Sequence, residues 1–300
     1  MKRSRRHRGA VLTGYLFLAP SLAILTAIGF YPVVRTLLLS LYDATFLNAP
    51  SRFVGLGNYA KLLDDVWFHL AYRNTWLFTA VSVALETAIG LSFAVLLDKR
   101  LPGRKWVRAS VLIPWAIPTV VSASMWQWLF NADFGFINYA LERLHLISSY
   151  PNWLGDRASA MWAVIIADVW KTTPFMALIL LAGMQTISED IYEAAAIDGA
   201  TSLQRFRLIT LPLLLPTLVT ALLLRTLDAF RVFDLIYVLT GGGPANATEV
   251  LSSYAYKTTF SSAQVGYGAA MAAVMAVSVL ILARVLQYVQ RRAYGRIEGG

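Results

Sequence analysis

Long apolar stretches alternate with short polar, charged ones along almost the whole chain. Six of them reach the roughly 20 mainly apolar residues needed to cross about 30 Å of hydrocarbon: approximately 10–40, 75–97, 107–130, 160–183, 213–240 and 267–289. The third is rich in Trp and carries Pro114 and Pro118; the fourth carries Lys171 and Pro174. Proline is tolerated in such helices because neighbouring groups satisfy the freed carbonyls. Nothing alternates with period two for long enough to suggest a membrane barrel. The pattern predicts an all-α integral membrane protein with six transmembrane helices. It divides into a basic N-terminus (1–9), a first transmembrane helix (10–40), an external loop (41–74), a core of five helices (75–290) and a tail (291–300).

Composition agrees. Of 300 residues 57% are hydrophobic and only 14% charged, against about 25% charged in a soluble domain. The net charge of +9 does not point to nucleic acid, because the basic residues flank the apolar stretches. Lys2, Arg3, Arg5, Arg6 and Arg8, then Lys99, Arg100, Arg104, Lys105 and Arg108, then Arg205 and Arg207, then Arg291, Arg292 and Arg296 fall on one side. The other side holds only Arg52, Lys61, Arg73, Arg143, Arg157 and Lys257. The richer side faces the cytoplasm, which places both termini there, in a bacterial or archaeal cytoplasmic membrane. The basic start followed by an apolar run has the order of a signal peptide. Its run, however, is about twice the usual 7–15 residues, which predicts a retained helix. Cys is absent, excluding thiol chemistry, and His7, His69 and His145 are scattered singly.

The polar segment between the fourth and fifth stretches, 184–212, is patterned. Ser188 can cap a helix whose positive first turn holds Glu189 and Asp190. Ala194, Ala195 and Ala196 favour the helix, and Gly199 can end it in a left-handed conformation. A second short helix can start near Thr201 or Ser202 and run through Phe206, with Pro212 at the entry of the fifth span. Local reasoning leaves two readings: an interfacial helical hairpin with no partner, or a docking element.

The run Glu193-Ala194-Ala195-Ala196-Ile197-Asp198-Gly199-Ala200, followed by Phe206, Ile209, Leu211, Pro212 and Pro216, resembles the signature loop of binding-protein-dependent ABC importer permeases. The resemblance is to the subgroup importing maltose, other oligosaccharides and glycerol phosphate, and to its first permease subunit. Trp170-Lys171-Thr172-Thr173-Pro174-Phe175, Ala182-Gly183-Met184-Gln185 and Leu239-Thr240-Gly241-Gly242-Gly243-Pro244, with Thr248 and Tyr254, extend it over about 75–291. It implies the type I importer permease fold. It also implies a coupling loop in which Glu193, Ala194, Ala195, Asp198, Gly199, Phe206 and Pro212 engage a cytoplasmic ATPase. The implied partners are a second homologous permease, two ATPase subunits, an extracytoplasmic sugar-binding protein and a carbohydrate, an oligosaccharide such as a disaccharide of the trehalose or maltose type. No GxxxxGK[ST] run occurs, so this subunit is expected to be non-catalytic and without a cofactor, with ATP and Mg held by the partner ATPase.

Ionisable residues also fall inside the spans, where they usually face a bundle interior or wet cavity. Asp168 and Lys171 lie one turn apart in the fourth; Arg225, Asp228, Arg231 and Asp234 recur every third residue in the fifth; Glu86 stands alone in the second. Successive members of the series in the fifth rotate by about 60° around the helix axis, so they cannot all line one pore. That favours a structural or gating ladder over a sugar site. Trp115, Trp126, Gln127, Trp128, Asn131, Trp162, Trp170 and Tyr237 could serve a sugar, although aromatics near span ends are often interfacial anchors; the substrate-binding residues stay unknown. The alternatives are an ion-coupled secondary sugar transporter using Asp168 or Glu86, or a glycerol-phosphate importer permease. A membrane enzyme lacks a clustered His, Asp or Ser constellation.

Overall fold

The computed structural model describes residues 15–46, 52–99 and 102–298. The basic N-terminus and Arg100 lie outside the described residues. Five described helices are long and apolar enough to cross a bilayer, six if one bent pair is counted as a span. The chain forms two compact units, one of 1–64 with 255–274 and the other of 65–254 with 275–300.

In the first unit, α1 (Tyr15–Leu39) is exposed along its length and contains a π-helical turn, Leu25–Phe30. The short strands β1 (Tyr42–Asp43) and β2 (Arg52–Phe53) pair antiparallel, and α2 (Gly57–Asp64) follows. Buried Asn58 anchors this turn by donating to the carbonyls of Ser40 and Tyr42 at 2.8 and 2.9 Å.

In the second unit, α3 (Val66–Asp98) begins on the side chain of Asp65, whose carboxylate accepts from the amides of Trp67 and Phe68. Residues 66–74, expected in the external loop, therefore already belong to the helix. The broken pair α4 (Arg104–Ala116) and α5 (Thr119–Leu129) comes next, then α6 (Phe136–Arg143) and α7 (Arg157–Met184). α7 starts on the cap of Asp156. α8 (Glu189–Ile197), α9 (Ser202–Ala229), α10 (Asp234–Leu239) and α11 (Leu251–Tyr256) lead to α12 (Val265–Glu298). α12 runs on through most of the expected tail.

α3 packs along α7, and Gly90 permits the approach: a Cβ there would lie 2.8 Å from Met176 Cγ. Gly183 does the same for α7 against α9, where a Cβ would meet the Thr217 side chain at 2.6 Å. One apolar cluster gathers Phe78, Trp126, Ile165, Leu235 and Ile236; another gathers Ala94, Met176, Leu180 and Leu214.

Two spans depart from the expected single helices. The third bends by 92° between Ala116 and Thr119. Proline disfavours helical geometry in the residue before it, and Ile117, preceding Pro118, is extended at φ −72° and ψ 131°. The fifth stops at Ala229, and α10 starts only at Asp234. Side chains serve the carbonyls around this second break. Ser252 donates to the carbonyl of Val232, and Arg231 Nε donates to that of Leu227 at 3.2 Å.

Candidate functional site

The two helix breaks meet. A cavity of about 230 Å³ is lined by Trp115 and Thr119 from the bend in the third span, by Asp168, Lys171 and Thr172 of α7, by Arg225 and Asp228 of α9, and by Arg231, Val232, Phe233, Asp234 and Leu235 at the second break. Irregular backbone at membrane depth is tolerated where it is buried in protein or lines a water-filled cavity. All six charged candidates thus share one cavity. The expectation that the four-residue series cannot line one space fails because its helix ends at Ala229, which re-aims Arg231 and Asp234.

Glu86 does not stand alone either. It is fully buried and accepts from Arg225 Nε at 2.5 Å, from Arg225 Nη2 at 2.8 Å and from Thr172 Oγ1 at 2.8 Å. Arg225, only 2% exposed, also donates Nη2 to Asp168 and Nη1 to Asp228, the latter at 3.3 Å. One guanidinium therefore ties α3, α7 and α9 together. Forked donors suit this arrangement, since Arg offers five N–H groups in a fixed plane. Asp228 and Arg231 are mostly exposed and lie 3.8 Å apart.

Of the aromatic candidates, Trp115 alone lines this cavity, its ring stacked on Phe175 at 5.8 Å. Trp126 is buried edge-on against Trp170, while Trp128 and Trp162 are exposed elsewhere. Gln127 and Asn131 border a separate surface hollow with Trp128 and Phe134. Thr119 and Phe233, lining residues that sequence reasoning did not single out, owe their place to the breaks. The ionisable residues inside the spans were the hint of the ion cluster; which of them pair, Glu86 with Arg225 above all, was not legible from their spacing.

In the segment 184–212 the first short helix and its ends are as the residues predict, but the second is no separate short helix: it is the start of α9, which runs on through Pro212 to Ala229. The hydroxyl of Ser188 accepts from the Asp190 amide at 3.3 Å, with Glu189 and Asp190 in the first turn of α8. The helix closes through Ala200 N to Ala195 O at 2.9 Å, with Gly199 at φ +79°, a conformation glycine adopts without a Cβ penalty. α9 then opens on a reciprocal cap: Thr201 N donates to Gln204 Oε1 at 2.8 Å, and Gln204 N to Thr201 Oγ1 at 3.3 Å. Tyr192 and Thr210 hydroxyls, 2.9 Å apart, pin α8 to α9. No residue of α8 is buried. Glu193, Ala194, Asp198 and Gly199 are exposed, and Ala195 is half-buried. Phe206 is half-buried in a π-helical turn, and Pro212 is exposed at the second position after it. Ile197 and Leu203 are 87% and 58% exposed, an apolar display that a purely solvated hairpin does not need.

The Gly-rich stretch after α10 is also held firmly. Asn74 donates to the carbonyls of Asn246, Ala247 and Glu249, and buried Thr248 bonds Thr240 and the Gly243 carbonyl, both at 2.7 Å. Tyr254 donates to Asp65 at 2.8 Å. Burial first, and this bond second, push its phenol above the usual range.

Spans broken around a charged cavity, with a short capped helix displayed between two of them, fit a multi-pass transport subunit. The chain belongs to the family described as binding-protein-dependent transport system inner membrane component, whose model matches residues 68–294. It is 49% identical over 277 residues to the trehalose/maltose transport system permease protein MalF of Thermococcus litoralis, covering 92% of each chain. To the sulfoquinovosyl glycerol transport system permease protein SmoG of Agrobacterium fabrum it is 38% identical, covering 95% of this chain and 92% of that one. The fold superposes with a TM-score of 0.84 on a chain of a bacterial ABC transporter involved in the import of the acidic polysaccharide alginate. That match is 23% identical and covers 97% of this chain and 99% of that one.

Proposed function

We propose that this chain is a sugar-importer permease that moves an uncharged disaccharide of the trehalose or maltose type through the cavity at the helix breaks, driven by a separate ATPase docked on 188–212. The relative that shares 49% of its residues carries trehalose and maltose in its name, which supports the sugar class. The observation that carries the coupling is α8 itself: capped at both ends, pinned to α9, and unburied along its length. Small Ala194 and Ala195 permit close approach of a partner surface, and Glu193 offers a carboxylate to a basic group there. Partner ATPases bind ATP and Mg, so this subunit holds neither. A second permease and an extracytoplasmic binding protein complete the complex. The latter fits the alginate transporter, whose structure is known with a pentasaccharide-bound periplasmic protein. Both termini lie in the cytoplasm.

In the cavity, Trp115 supplies an apolar ring face, while Asp228, Arg231 and Lys171 supply hydrogen-bonding groups for sugar hydroxyls. The test is ATPase activity of the whole complex in lipid, with binding protein and trehalose or maltose. Wild type should be stimulated several-fold. Glu193→Lys or Gly199→Asp should abolish stimulation while the complex stays assembled. Full stimulation with both variants would remove the docking role from this loop.

A further inference from the structure

We infer that the hollow at the C-terminal end of α5 is a second carbohydrate site, an entry subsite that holds a neutral sugar before it reaches the charged cavity; this rests on the proposed function, which puts that end of α5 on the external side. The hollow measures about 460 Å³, within the roughly 300–1,000 Å³ of small-molecule sites. Its apolar part is two rings: Trp128 and Phe134 lie 5.3 Å apart, tilted by 53°, and both are exposed. Around them stand Gln127, Asn131, Asp133 and Asn152.

The polar groups are held so that part of each faces a ligand. Asn131 Oδ1 accepts from the amides of Asp133 and Phe134 at 2.9 and 3.2 Å, a turn that sets Phe134 near Trp128 and leaves the Asn131 NH2 to donate elsewhere. Asn152 engages its Oδ1 with the Gly155 amide at 2.9 Å and keeps its NH2 in the same way. The exposed Asp133 carboxylate is the one ionisable group among the lining residues. The hollow thus combines two amide donors, one carboxylate acceptor and the Gln127 amide, which does both, with two apolar ring faces. A sugar carries the matching set: a C–H face for a ring, and hydroxyls that donate and accept.

The framework behind these groups is fixed. Asn138, fully buried, donates Nδ2 to the carbonyls of Ala132 and Pro151 at 3.4 and 3.2 Å and accepts from Trp153 Nε1 at 2.7 Å. It thereby ties the chain around Asn131 to the chain around Asn152. Phe130 stacks on Trp126 beneath the hollow, with ring centres 5.2 Å apart. Trp128 by itself would suit an interfacial anchor, but an anchor has no use for amides and a carboxylate around its ring. Thr119, at the other end of α5, lines the charged cavity, so one rigid helix of roughly 14 Å between Thr119 and Trp128 joins the two places.

The test is binding of trehalose and of maltose to the whole complex in nanodiscs, without the binding protein, by saturation-transfer NMR, which reads weak sites. A Trp115→Ala background weakens the cavity and leaves the hollow to be read. In it, Trp128→Ala should weaken binding about tenfold, the upper end of what an aromatic contact contributes. Asp133→Ala, which keeps both rings, should weaken it several-fold. Unchanged binding with both variants overturns the inference. So does a loss confined to the affinity of the sugar-binding protein for the complex, which would make the hollow a docking face. Failure of the cavity reading looks different: Trp115→Ala would leave wild-type binding untouched while Trp128→Ala removed it, and the subsite would stand alone. If neither sugar binds the wild-type complex, both readings fall.

Discussion

At the scale of single residues, the structure concentrates its polar bonding on a few buried side chains. Arg225 contacts three carboxylates across three helices, and Thr172 completes the set through Glu86. Thr172→Val removes one of the two donors on a buried Glu86 oxygen, which keeps Arg225 Nη2, and should cost about 1 kcal/mol, read as a lower Tm of the purified complex. Tyr254 is a second such point. Its folded-state pKa is raised, by burial and by donation to Asp65. The stabilisation is therefore fully present below the unfolded phenol value near about 10 and is lost as pH rises toward the folded value. Tm should fall more steeply above about pH 10 in wild type than in Tyr254→Phe, whose slope should be flatter; equal slopes would mean that Tyr254 does not titrate with unfolding.

At the scale of elements, the decisive features are the two breaks. The bend at Pro118 brings Trp115 and Thr119 to the cavity, and the stop at Ala229 brings Arg231 and Asp234. Pro118→Ala removes the steric push on Ile117 and should let the third span straighten. Spin labels at Ala109 and Gln127 should then move apart by on the order of 8 Å, given a 1.5 Å rise per residue, with sugar affinity reduced. An unchanged distance would assign the bend to surrounding packing. Much of the element layout was legible in the chain. Ser188 and Gly199 mark the ends of the short helix α8 and Thr201 the start of the next, through local chemistry, and the structure has those ends; that the second helix continues into the fifth span was not marked by any residue between. Pro118 was visible as an interruption, but no local rule gives a 92° angle. The stop at Ala229 has no proline or glycine to announce it. Its carbonyls are served by Ser252 and Arg231, one of them distant in sequence. The Glu86–Arg225 pair spans 139 positions, so helical spacing could not disclose it.

At the scale of the whole molecule, two helices run from the segment around α8 to the charged cavity, which lies at the middle of α7 and near the end of α9. α7 carries Asp168 and Lys171 in the cavity and ends at Met184, a few residues before α8. α9 begins at the reciprocal cap beside Gly199 and reaches Arg225 and Asp228. Two helices thus run from either side of α8 to one guanidinium, which clasps α7 at mid-length through Asp168 and α9 near its end; under the proposed function this is the path by which an ATPase would act on the cavity. The decisive measurement is uptake of labelled trehalose or maltose into proteoliposomes holding the complete complex, with binding protein outside and ATP either present or absent inside. Uptake should require internal ATP and external binding protein, and should ignore imposed proton and sodium gradients. Accumulation driven by an ion gradient without ATP would contradict the ATP-coupled mechanism and turn attention back to Asp168 and Glu86 as ion-carrying groups.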